Sequence, residues 1–235
     1  MMLTLFKDKK GFTVIYFIIL LIDIVVKLYA EDVPFRYLSK PLVVVFLMIY
    51  YVLNNNETSV WRKRFIYMAL LCFLIGDILF IETEITPLYI TATLLFIVGK
   101  LFYAFRFSNQ RDFSLVTLFP LFSICFIYMI VIMALVINSL GTFFMPTLIY
   151  LFVSLIVVLF AFLRKEEVIY KSFILVLIGV IVAIFSETIV LIKSFYNPNF
   201  PYHNVLIMLF YGVSQYLIVY GLVEEVKVKR KIITS

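Results

Sequence analysis

Apolar residues in this chain come in long unbroken runs, not in the period-2 alternation of half-buried strands or the one-sided stripe of a surface helix. Eight runs can be marked, over about 11–30, 40–54, 63–82, 87–107, 114–137, 142–163, 171–193 and 203–224. The second is the shortest and is expected to extend by a few residues. A helix that crosses a bilayer needs about 20 apolar residues, so eight would use roughly 160 positions and leave only short loops and two tails. A transmembrane barrel would alternate over about ten residues instead. Helices cross hydrocarbon because each satisfies its backbone N–H and C=O groups within its own segment. The pattern therefore predicts an all-α polytopic membrane protein of eight transmembrane helices, forming a single integral membrane domain over 1–235.

Composition agrees and narrows the classes. Of 235 residues, 65% are hydrophobic and 14% charged, against roughly 45–50% and about 25% in soluble domains. Too few charges remain to clothe a water-facing surface around 26 Phe and 16 Tyr. An ordinary soluble enzyme and a disordered chain are both excluded. Cys72 and Cys125 lie inside apolar runs and form neither a disulfide framework nor a metal-ligand spacing. They read as small buried hydrophobes.

A net charge of +6 in a soluble protein would suggest nucleic acid; here its placement sets topology. One side collects Lys7, Lys9, Lys10, Arg62, Lys63, Arg64, Arg106, Arg111, Arg164, Lys165, Lys171, Lys227, Lys229, Arg230 and Lys231. The other holds Arg36, Lys40 and Lys193, while Lys27 and Lys100 fall within runs. A 15-to-3 bias puts both termini in the cytoplasm and favours an even number of crossings, in what is expected to be a bacterial inner membrane. The first run, with Leu28-Tyr29-Ala30 at its end, resembles a signal peptide. Asp23 and Lys27 interrupt it, and its removal would split the orientation, so it is read as a retained crossing.

The two halves echo each other. Pro41 and Pro146 open the second and sixth runs, and Gly76-Asp77-Ile78-Leu79 in the third resembles Ser186-Glu187-Thr188-Ile189 in the seventh. Tyr103 and Tyr216 fall near matching places in the fourth and eighth. Four crossings per half would make the two repeats parallel.

Ionisable side chains at membrane depth are costly, face the bundle interior or a wet cavity, and mark function by default. The runs contain Asp23, Asp77, Lys100 and Glu187, with Gln215 as a neutral polar addition. At about 1.5 Å per residue, Asp77 lies roughly 20 Å and Glu187 roughly 24 Å from the cytoplasmic edge. Lys40 can reach toward this level from the outer side, and Lys100 lies near mid-depth. Two carboxyls sheltered from water do not ionise equally well, so such a pair can supply a proton donor and a base or electrostatic stabiliser. Composition leaves three readings open. One is a structural polar cluster, with Asp77 paired to Lys100 and Glu187 bonded to Gln215. The second is a proton-coupled small transporter or lipid-binding protein, and the third an intramembrane enzyme. Asp23 and Lys27, one helical turn apart, suit a self-paired couple. His203 reads as an interfacial or capping residue, and Trp61 and tyrosines near the ends of runs as interfacial anchors.

The motifs have a fixed order. Lys40-Pro41-Leu42 opens the second run, Gly76-Asp77 lies in the third, and Gly99-Lys100-Leu101-Phe102-Tyr103 in the fourth. Tyr150 falls in the sixth, Phe185-Ser186-Glu187 in the seventh, and Tyr211 with Gln215, Leu217, Ile218 and Gly221 in the eighth. This order, over about 40–225, resembles the YhhN family of membrane proteins, which includes the lysoplasmalogenases. The resemblance implies eight helices and hydrolysis of the vinyl ether bond of a lysoplasmalogen-type lipid, yielding a fatty aldehyde and a glycerophospho head group. It implies no cofactor and no metal; the partners are a single-chain ether or lyso-phospholipid and water. The family's two intramembrane carboxyls map onto Asp77 and Glu187, as acid and as base or stabiliser. Lys40, Lys100, Tyr103, Tyr150, Ser186, Tyr211 and Gln215 are the expected binding or orienting residues, with Lys40 or Arg36 near the lipid phosphate. Two positions depart from the family pattern: Lys100 stands where His is usual, and Glu187 where Asp is usual. Lys100 is a candidate partner for Asp77, which would work against an acid role for that carboxyl.

Overall fold

The computed structural model describes residues 6–29, 34–82, 85–108 and 115–227. Ala30, Arg111, Lys229, Arg230 and Lys231 therefore lie outside the described residues. Within them run eight long helices: α1 (Lys9–Tyr29), α2 (Arg36–Asn54), α3 (Val60–Leu79), α4 (Thr86–Phe107), α5 (Leu115–Leu140), α6 (Phe144–Leu163), α7 (Tyr170–Phe195) and α8 (His203–Val223). Each covers one of the apolar runs, with ends displaced by up to four residues. The largest shift is in α2, which begins at Arg36 and carries Pro41 inside its second turn. Lys40 is thus one turn into the helix and buried, not at its entrance.

Six stretches among the described residues are long and apolar enough to cross a membrane by length and composition, one of them, Leu118–Glu166, taking in most of α5 and all of α6. Helix α3 is not among the six. Its 20 residues include Arg62, Lys63 and Arg64 near one end and Asp77 near the other. These charges interrupt its hydropathy; a guanidinium near a helix end can snorkel to the interface, whereas the carboxyl needs a partner inside. The protein is an all-α polytopic integral membrane protein.

Two helix pairs pack most closely, α3 with α4 and α7 with α8. Small residues allow it, because within lipid the association of helices depends on close packing and interhelical hydrogen bonds. A Cβ on Gly221 of α8 would stand 2.8 Å from Val176 of α7, and one on Gly99 of α4 would stand 2.9 Å from the Phe73 ring of α3. Helix α1 packs on α2 and α8 through Phe12, Tyr16 and Leu20, and the Tyr16 hydroxyl donates to the Gly212 carbonyl of α8 at 2.8 Å. Tyr216, the expected counterpart of Tyr103, turns to α1 and shares a 2.7 Å hydrogen bond with Thr13. Helix α5 lies at the edge, with Phe119, Ile124, Ile127 and Ile130 exposed as befits a face toward lipid tails.

Successive helices run in opposite directions, so the bundle has a face bearing Lys9 and Val223 and a far face bearing Tyr29 and His203. The first face is closed by an ionic knot. Arg106, near the end of α4, reaches both Glu57 and Glu225 at 3.0 Å, and Arg164, just after α6, reaches Glu225 at 2.7 Å and Ser172 at 3.1 Å. Lys9 and Lys171 hold Glu224 beside it. The backbone N–H of Ile169 donates to the carbonyl of Val226 at 3.0 Å, so the segment after α8 is tied over the turn between α6 and α7.

Candidate functional site

Walls from α3, α4, α6, α7 and α8, with Lys40 of α2, line a partly open cavity of about 120 Å³. Its upper lining includes Phe80, Tyr89, Phe143 and Pro146, all at the far face, and its floor includes Val157 and Ile218 near mid-bundle. The ionic knot contributes nothing to the lining.

All nine residues singled out by sequence line this cavity: Lys40, Asp77, Lys100, Tyr103, Tyr150, Ser186, Glu187, Tyr211 and Gln215. The placement follows from helical spacing. Lys100 and Tyr103 are three apart on α4, and Tyr211 and Gln215 four apart on α8, so each pair shares a face. Asp77 lies in the last turn of α3, and Glu187 about two-thirds of the way along α7.

The charged groups form two separate pairs. Lys40 Nζ lies 3.2 Å from Asp77 Oδ1 and donates to the Asp77 carbonyl at 3.1 Å. Asp77 Oδ2 accepts the Tyr211 hydroxyl at 2.7 Å. Lys100 Nζ lies 2.7 Å from Glu187 Oε1, and 3.3 Å above the centre of the Tyr150 ring. The expected pairing of Asp77 with Lys100 is thus corrected: each lysine serves the carboxyl facing it, Lys40 bridging α2 to α3 and Lys100 bridging α4 to α7. The objection to an acid role for Asp77 passes from Lys100 to Lys40, whose ammonium now stands beside that carboxyl. Gln215 does not bond Glu187 either; its Oε1 accepts the Tyr103 hydroxyl at 2.8 Å. Ser186 turns its hydroxyl to the Ile207 carbonyl of α8 at 3.0 Å, so its role is in helix contact as much as in lining. Asp23 accepts from Ser39 Oγ at 2.6 Å and forms no ion pair with Lys27 among the described residues, because its side chain turns inward between α1 and α2.

Both carboxyls are almost wholly enclosed, Asp77 at 1% and Glu187 at 9% exposure. Such charges survive only with a partner and further hydrogen bonds, and each has both. Sequence reasoning missed the group that completes the second pair. Ser154 Oγ accepts from Lys100 Nζ at 2.7 Å and donates to Glu187 Oε2 at 2.8 Å. Its signal was faint: a small uncharged hydroxyl one turn after Tyr150 in a strongly apolar helix. His203 stands apart from the cavity, with Nδ1 2.7 Å from the Phe200 carbonyl at the start of α8.

Fold and site together define a polytopic helical membrane protein with paired charges on the wall of an intramembrane cavity. The YhhN family model matches residues 35–222, and the chain belongs to that family. No curated protein and no solved structure matches it. Lys100 and Glu187, the two positions expected to depart from the family pattern, are each other's partner.

Proposed function

We propose that this protein is a lysoplasmalogenase-type hydrolase, cleaving the vinyl ether of a single-chain lipid within the bilayer by carboxyl acid–base chemistry. One observation carries the reading: two enclosed carboxyls from α3 and α7, each with its own lysine, line one largely apolar cavity. Family membership supports the class of substrate. Eight crossings in two parallel four-helix repeats, with both termini in the cytoplasm, belong to the same proposal. Support for the repeat comes from α3–α4 and α7–α8, the two closest helix pairs and positional counterparts in the two halves.

The chemistry proceeds by proton transfer to carbon. The Asp77 carboxyl gives its proton to the β-carbon of the vinyl ether, forming a C–H bond and an oxocarbenium ion. The Glu187 carboxylate stabilises that cation and takes a proton from the water that adds to it. The resulting hemiacetal collapses: its C–O bond to the glycerol breaks as Glu187 returns its proton to the leaving oxygen, and the hemiacetal hydroxyl gives its proton back to Asp77 as the aldehyde C=O forms. The balance is one water consumed, one aldehyde and one alcohol released. An analogous cation is handled by paired carboxyls in glycoside cleavage. Tyr211 orients Asp77, and Ser154 and Lys100 orient Glu187. The alkenyl chain lies along the apolar lining, and the phosphate stays toward the far face near Arg36.

The test is purified protein mixed with lysoplasmalogen, reading aldehyde release. Failure of the wild type on several vinyl ether and lysophospholipid substrates would end the hydrolase reading. Release that survives both Asp77→Asn and Glu187→Gln would keep the activity and remove the site. Proton-coupled uptake into proteoliposomes, lost in the same variants, would favour a transporter.

A further inference from the structure

Two voids in the bundle come within about one helical turn of each other. The cavity floor includes Tyr103 of α4 and Ile218 of α8. At the face bearing Lys9, a polar recess of about 270 Å³ has Glu57, Arg106, Leu222 and Glu225 in its lining. Arg106 follows Tyr103 by three residues and Leu222 follows Ile218 by four, so about 4.5–6 Å of axial rise separates floor from recess. That is the span of two hydrogen bonds of about 2.8 Å each. Apolar rings fill part of this layer, Phe107 stacking on Tyr103 at 5.7 Å between ring centres. The rest is polar. Tyr51, in the last turn of α2, is buried at 1% exposure and meets the Tyr67 ring of α3 edge-on. It lies within electrostatic reach of Tyr103 on one side and of Arg106, Glu57 and Glu225 on the other. Its hydroxyl makes no hydrogen bond among the described residues. The same holds for Arg106 Nε, for Asn55 Oδ1 one turn after Tyr51, and for Arg164 Nη1 in the knot. We propose that a hydrated seam at Tyr51 joins the recess to the cavity floor and delivers the water that the hydrolysis consumes.

A buried polar atom left without a partner is costly, and buried water bonds such atoms, about three at a time. The seam supplies both kinds of partner. Arg106 Nε can only donate and Asn55 Oδ1 can only accept, while the Tyr51 hydroxyl does either. At the floor, Tyr103 gives its proton to Gln215 and keeps an oxygen that can accept from water. The reaction needs such a route. A lipid whose phosphate stays at the far face, with its chain along the apolar lining, fills the approach from that side. One water must still reach Glu187. Lys100 lies one turn above Tyr103 on α4, and Ser154 one turn above Val157 of the floor on α6. Both hold Glu187, so water arriving at the floor is a single turn from the groups around the base. Tyr51 touches neither the lipid nor the reacting atoms; it acts through the water it holds and is a positioning residue.

The delivery of water rests on the proposed hydrolase; the hydration of the seam does not. An experimental structure of the full-length protein, at a resolution that shows ordered water, should place water within hydrogen-bond reach of Tyr51 Oη and Arg106 Nε. A Tyr51 hydroxyl bonded to protein alone, or packed against apolar atoms, overturns the proposal. Delivery is read from how the oxocarbenium ion partitions. Propanol dissolved in the detergent micelle competes with water: its oxygen bonds the cationic carbon, its proton passes to Glu187, and a mixed acetal forms in place of aldehyde and alcohol. It arrives from the lipid side and is too large for a seam one water wide. Tyr51→Phe should cut aldehyde release about tenfold, the worth of one hydrogen bond, with acetal formation and the KM for lipid unchanged. A merely structural residue would lower both products together, and an acetal-to-aldehyde ratio equal to that of the wild type overturns the assignment. If Tyr51→Phe fails to fold, Tyr103→Phe interrupts the same route at the floor and should raise that ratio; an unchanged ratio there overturns it as well. A wild type that releases no aldehyde sinks the hydrolase reading alone, and the hydration of the seam is then decided by the ordered water.

Discussion

The bundle buries charge in two places, and the two are built differently. In the cavity the bases are lysines, each set against one carboxyl and finished by a hydroxyl, Tyr211 on one side and Ser154 on the other. In the knot at the other end the inward bases are arginines, and Arg106 and Arg164 converge on the single carboxyl of Glu225, with Glu57 behind. An arginine never gives up its charge and offers a rigid fork of donors, which suits a clamp. A lysine is a point charge on a flexible stem, and its partner can gain or lose a proton without a rigid geometry being broken. The knot joins the ends of α4, α6 and α8 to the loop after α2; its residues are absent from the cavity lining, and Glu57, Arg106 and Glu225 line a separate polar recess. The lesson is that buried charge alone does not mark chemistry; the kind of base separates a site from a strut.

That contrast can be broken most sharply at the cavity. Asp77→Asn or Glu187→Gln should lower aldehyde release by about 10²–10⁴-fold, while the thermal unfolding of the detergent-purified protein shifts little by comparison. If both variants instead unfold and the surviving folded fraction keeps its rate, the cavity pairs are struts as well. The knot should behave the opposite way. Glu225→Gln takes the carboxylate from the buried Arg164 and leaves Arg106 with Glu57 alone; it should cost about 3–5 kcal/mol, read by denaturant titration, with turnover per folded molecule retained.

Acid should imitate that substitution. Burial alone would raise Glu225, but Arg106 and Arg164 outweigh it and hold the carboxyl below its ordinary 4.5. A carboxyl lowered on folding stabilises the protein above its unfolded value and loses that contribution as pH falls through the folded value. Wild-type stability should therefore drop below about pH 4.5, and Glu225→Gln should flatten that part of the curve; parallel curves would refute the clamp. A smaller effect is expected where packing, not charge, joins the helices. Gly221→Val should cost about 1–3 kcal/mol, since the new side chain meets Val176. The least is expected from Lys171→Ala at the rim, whose pair with Glu224 is half in solvent and worth at most about 1 kcal/mol.

Much of this was legible in the residues. Eight apolar runs became eight helices, because in hydrocarbon a continuous apolar stretch has no other way to satisfy its backbone. Asp77, Lys100 and Glu187 stood out because charge inside such a run is too costly to be incidental. Spacing of three or four put Lys100 with Tyr103, and Tyr211 with Gln215, on shared faces.

Azimuth was not legible. Periodicity places a residue along a helix axis but does not say which neighbour it meets, so Lys100 was assigned to the wrong acid and Gln215 to the wrong partner. Ser154 carried no charge to give it away, and Asp23 looked settled by Lys27 until α1 docked against α2 and turned it toward Ser39. The order of elements, their lengths and the cost of each buried charge belong to the chain itself, being local properties of backbone and side chain in lipid. Which base answers which acid, and that arginines clamp one carboxyl at one end of the bundle while lysines and carboxyls line a largely apolar cavity toward the other, was decided only when the helices packed, because those partners come from segments far apart in sequence.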